Sequence, residues 1–191
     1  MDTEVSPIPF GKLMARLQAG AGLVLLLLIG GLDFFFPSQY RIQAGVHGIS
    51  AVLSVVMGTY LTHHSHALFK GVKMDFDALR LWVLGGTALN LAGAVSGNWI
   101  YMRYRGQDGP RDWILANVPD FHNILMEYKE FVSLFPFPLM LLAAFVLFYY
   151  RRQLPLSAEL QKFVGLLILL AWFFLMFGFV AGLTLTKLRY L

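Results

Sequence analysis

The feature that most constrains this chain is a succession of apolar stretches, each long enough to cross a bilayer, starting with the unbroken run Leu23 to Ile29. An α-helix rises 1.5 Å per residue, so about 20 apolar residues traverse the hydrocarbon core. Five spans can be read, at about 18–36, 43–62, 78–102, 121–150 and 159–186. Pro37 ends the first, and Arg151, Arg152 and Pro155 make the turn before the last. The fold expected is all-α: an integral membrane helical bundle of about five transmembrane helices, a single domain over 1–191, with a short interfacial segment near Trp113 to Val118 before the fourth span.

Composition agrees with a bilayer as solvent, since 58% of the residues are hydrophobic and only 14% charged. Cysteine is absent, which excludes disulfides, thiolate metal centres, iron–sulfur clusters and covalent c-type haem. Any cofactor must be held by His, Met, carboxylate or backbone groups. The net charge of +4 comes from Lys and Arg at span ends, a pattern that meets lipid headgroups and points away from nucleic acid. The N-terminus carries Asp2, Glu4, Pro7 and Pro9 and lacks the basic start of a signal peptide, so the first span is expected to be retained. Basic residues favour a cytoplasmic N-terminus and an outside C-terminus in a plasma (inner) membrane, by a small margin.

Polar residues at membrane depth carry the functional information, because hydrocarbon tolerates them only when they are paired or used. His47 shares a helix face with Ser50, Ala51, Ser54, Gly58 and Thr62, a strip of small and hydroxyl side chains that should face inward. The third span lines up Gly86, Asn90, Gly93 and Gly97, and the fifth carries Gly178 and Gly182. Such glycines serve close helix packing or leave room for a flat cofactor. His122, near a helix start for which Asp120 is the expected N-cap, precedes Glu127, Lys129 and Glu130, and alternation of five spans puts it on the same side as His47. Pro136 and Pro138 should kink the fourth helix.

Two imidazoles from separate helices can clamp a haem iron without cysteine. His47 and His122 are therefore the candidate haem b ligands, and Glu127 and Glu130 the candidate groups to accept protons from a quinol. One geometric objection stands: His122 lies about 13 Å in helical rise before Phe131, where its apolar run begins, whereas His47 lies just inside its own span. If tilt and kink leave that gap open, Glu127 or Glu130 is nearer in depth to His47, and a His–carboxylate hydrogen bond or a small metal site replaces the haem. His63, His64 and His66 point in different directions along a helix and are read as interfacial, meeting lipid phosphates with Lys70 and Lys73. Asp33 is read as a partner of Arg41.

The general design resembles the haem b membrane subunits of quinone-linked oxidoreductases. That resemblance implies electron transfer between a quinone pool and a partner within a multi-subunit complex. The alternative reading is a structural membrane subunit without a redox centre, and a small-solute or metal transporter ranks third, since the spans lack paired half-helices.

Overall fold

The computed structural model describes residues 40–188 without interruption, and before them only scattered helical positions between 13 and 35. All but these positions of the first expected span, and the Asp33–Arg41 pairing, lie outside the described residues. The described residues are all-helical apart from their connections, with no strand among them, and four helical stretches, one of them the composite Phe121–Tyr149, are long and apolar enough to cross a membrane. The chain is thus a multi-pass helical membrane protein.

The second expected span is helix α1, Tyr40–Lys70. It extends past the anticipated end at Thr62 because its core-facing rhythm continues: Ser65 and Leu68 are buried while His63 and His66 stay exposed. His63 and His66 therefore ride outward on a helix that has not ended. Gly71 stops it at φ +63°, with Val72 N–H donating to Ala67 O at 3.1 Å and Gly71 N–H to Leu68 O at 3.4 Å, the paired bonds of a Schellman cap. Asp75 then caps α2, Phe76–Arg105, accepting from the amides of Asp77 and Ala78.

A short helix α3, Pro110–Asn117, fills the expected interfacial segment. The fourth span is not one helix. It comprises a π-helical segment, Phe121–Met126, then α4, Glu127–Val132, then α5, Pro136–Tyr149. Asp120 is not the N-cap expected from sequence, since it is already helical and its side chain makes no capping bond. The chain turns earlier, at Val118, and Pro119 supplies the fixed φ of a first helical position. The kink anticipated at Pro136 and Pro138 is a full break over 133–135, where missing proline amides stop the hydrogen-bond ladder. A 3₁₀ turn, Leu154–Leu156, leads into α6, Ala158–Leu188.

Helix α1 packs on α2 and α6, and α5 packs on the same two. The order around the bundle is α1, α2, α5, α6, with a core containing Leu61, Leu79, Val83, Ala143, Leu147 and Ile168. Large apolar side chains also point outward, among them Ile49, Val56, Leu81 and Phe173, each at least 60% exposed. In water such a surface would drive association, whereas lipid solvates it. At one end, Arg80 is buried and its Nε–H donates to the Leu147 carbonyl at 3.0 Å, while its guanidinium also pairs with Asp77. This satisfies one of the carbonyls left open in the last turn of α5.

Candidate functional site

The opposite end of the bundle, where the C-terminal half of α2 meets α3, the π segment and α6, concentrates the polar chemistry. Its apolar floor is Tyr104, Ile114, Met126 and Leu185, all buried. The loop before α3 delivers Arg111 to this floor. Within it Gly109 is fixed by crowding: a Cβ there would lie 2.6–2.8 Å from the carbonyl oxygens of Tyr104, Gly106 and Arg103.

His122 is 4% exposed, and both of its ring nitrogens are engaged. Nδ1 lies 3.0 Å from the Tyr104 hydroxyl, and Nε2 receives Arg111 Nε–H at 3.3 Å. Because arginine can only donate, Nε2 must be the unprotonated nitrogen, and the proton sits on Nδ1, shared with Tyr104. Glu127 Oε1 stands 3.7 Å from the same Nε2. The π-helical turn widens the backbone at this residue, a rare deviation that recurs at functional positions.

His47 sits deeper, between α1 and α2. Its Nδ1 lies 3.2 Å from the Gly93 carbonyl and 3.3 Å from Ser96 Oγ. The Ser96 hydroxyl donates to Ala92 O at 2.6 Å, so its oxygen is free to accept. Both neighbours of Nδ1 are then acceptors, which puts the proton on Nδ1 and makes Nε2 the unprotonated nitrogen. A Cβ at Gly97 would stand 3.0 Å from His47 Cε1, so the missing side chain at this position is what admits the imidazole.

The structure brings the predicted carboxylates to His122 and to one cation. Arg105 reaches Glu127 at 3.4 Å and Glu130 at 3.9 Å, and its guanidinium stands 4.5 Å over the Tyr101 ring. The Tyr101 hydroxyl meets the Glu130 carboxylate in a loose hydrogen bond, both atoms being buried. Lys129 turns the other way, its Cε 3.7 Å from the Cβ position of Gly182 on α6, with His47 within range of its charge.

The structure does not bring His47 and His122 together. Their contact points on α2, Gly97 and Tyr104, are about 10 Å apart along the helix axis. That offset separates the two imidazoles along the bundle, and the Tyr104 and Arg111 bonds hold His122 at its own level. Glu127, the expected proton acceptor, is the residue that approaches His122, at 3.7 Å. Sequence reasoning missed Tyr104 and Arg111, because an aromatic and basic belt at a helix end looks the same whether it faces lipid or turns inward. The seven-residue step from Gly97 to Tyr104, which keeps one helix face, was the available signal.

A scan against protein-family models, a search of curated proteins and a search of solved structures each return no match. Fold and site define the class by themselves: a multi-pass α-helical membrane protein with a cluster of titratable side chains at one end of its bundle.

Proposed function

We propose that this chain is a membrane subunit of a bioenergetic complex, exchanging electrons between a quinone pool and a partner subunit in a plasma-type (inner) membrane, with its N-terminus cytoplasmic. The row Glu127, His122, Tyr104 carries the reading. It leads from a half-exposed carboxylate, through a buried imidazole, to a buried phenol. A proton arriving at His122 Nε2 would break the Arg111 bond and draw in Glu127, so the two compete for one nitrogen. A packing histidine needs no such competition, whereas a group that takes up and releases protons does.

Haem b supplies one-electron chemistry in such subunits, and His47 fits the ligand role better than His122. Ligating histidines commonly donate their second ring N–H to a backbone carbonyl, as His47 Nδ1 does to Gly93, leaving Nε2 to face a metal. His122 is then assigned to proton handling and not to a shared iron.

Purified protein reconstituted with haem b is expected to show a b-type reduced-minus-oxidised spectrum that His47→Ala removes and His122→Gln retains. In the same preparation His122→Gln should slow haem reduction by added quinol. A folded protein that takes up no haem overturns the electron-carrier reading.

A further inference from the structure

Helices α1 and α6 each run for 31 residues, a rise of about 45 Å, which spans the hydrocarbon core and both headgroup layers. At the end of the bundle away from His122, the Phe69 ring of α1 stands 3.3 Å from the Cβ position of Gly165 on α6. At the same end Arg80 of α2 reaches the Leu147 carbonyl of α5. The short connections 71–75 and 150–157 therefore lie together at this end, at headgroup level.

Five exposed cations gather here, Lys70, Lys73, Arg151, Arg152 and Lys162, and none of them makes an ion pair among the described residues. The carboxylates of this end are engaged locally. Asp75 caps α2, Asp77 pairs with the buried Arg80, and Glu159 accepts from the Ser157 hydroxyl at 3.1 Å. At the opposite end Arg105 and Arg111 have Glu127, Glu130 and Asp112 as partners. Cations at headgroup depth without carboxylate partners draw their counter-ions from the surroundings. Apolar side chains are exposed between them: Val72 between Lys70 and Lys73, Phe163 beside Lys162, and Leu156, at 88%, shortly after Arg152. An acidic protein surface would neutralise the cations but set these side chains against polar groups, whereas a lipid offers a phosphate and an acyl chain together.

We infer that this end of the bundle binds anionic phospholipid headgroups, whose phosphates meet Lys70 and Lys73 at one connection and Arg151, Arg152 and Lys162 at the other. A zwitterionic headgroup brings its own ammonium and offsets little of the positive excess, so the surface favours a lipid of net negative charge. The expected contact of Lys70 and Lys73 with lipid phosphates thereby becomes a preference among lipids, independent of the electron-transfer reading.

The test places the full chain in phosphatidylcholine bilayers with a trace of spin-labelled phosphatidylglycerol or, separately, spin-labelled phosphatidylcholine. Electron paramagnetic resonance reads the motionally restricted fraction of each label. The wild type should hold phosphatidylglycerol about fivefold more strongly, a ratio worth about 1 kcal/mol. Changing all five cations to glutamine should bring the two lipids to parity, and Lys70→Gln with Lys73→Gln, or Arg151→Gln with Arg152→Gln, should each go part of the way. Arg103→Gln with Lys187→Gln, at the opposite end, should leave the ratio unchanged. Thermal unfolding first confirms that each variant is folded. Parity in the wild type would overturn the assignment and leave the cations to an acidic protein partner. A ratio that the opposite-end pair lowers as far as the fivefold variant does would overturn it as well, by showing that charge anywhere on the bundle serves equally.

Discussion

Tyr104 and His122 share a hydrogen bond of 3.0 Å between a phenol and an imidazole that are each 4% exposed. It joins the last turn of α2 to the π-helical segment and holds the imidazole in one tautomer. Tyr104→Phe keeps the ring packing but strands Nδ1–H in a buried place, which costs about 1–3 kcal/mol. Thermal unfolding in detergent should show the loss, and a wild-type melting temperature would mean that this bond contributes nothing net.

Gly97 and Gly93 separate packing from spacing. A Cβ at Gly97 meets the His47 ring at 3.0 Å, whereas one at Gly93 meets nothing within 4 Å among the described residues. Gly97→Ala is expected to displace the imidazole and lower stability, by about 1–3 kcal/mol if the ring cannot yield. Gly93→Ala should be near neutral. Equal effects in a denaturation series would show that the two glycines play the same role.

The loop that presents Arg111 is equally specific. Gly109→Ala sets a methyl group against three backbone carbonyls that have no rotamer to give way. Melting temperature should fall more for Gly109→Ala than for Arg111→Ala, since the first disturbs the loop and the second only removes its cargo. The reverse order would mean that the loop adapts easily.

At the far end of the bundle, Arg80 joins α2 to α5 through the Leu147 carbonyl at 3.0 Å. Hydrogen bonds from charged groups contribute about 1.5–3 kcal/mol, and the planar guanidinium donates from Nε while also facing Asp77. Arg80→Lys should therefore fail to restore what Arg80→Ala loses. Full recovery with lysine would reduce the role of Arg80 to bulk charge.

Much of the fold was readable because hydrophobic length alone decides where a chain can cross a bilayer. Helices α1, α2 and α6 and the proline break all lie close to where apolar runs, caps and Pro136 put them. The candidate site was readable only by residue type. Glu127 and Glu130 stand out as charges beside an apolar run, but whether they meet His122, Arg105 or lipid depends on the rotation of their segment about its own axis. No periodicity reports that rotation, because a π-helical turn and a proline break each interrupt the 3.6-residue count. For the same reason the pairing of His47 with His122 looked reasonable from alternation of spans, which fixes the end of the bundle and not the depth.

The break between α4 and α5 has a consequence for angular phase. Lys129 and Met140 are about three helical turns apart and would share a face on a straight helix. Here Met140 closes on Gly86 of α2, while Lys129 lies along Gly182 of α6. The interruption lets the upper and lower halves of one span be indexed to different neighbours, like two dials on a common shaft. Replacing Pro136 and Pro138 with alanine would lock the dials together, so that any shift of Lys129 along α6 would carry Met140 with it.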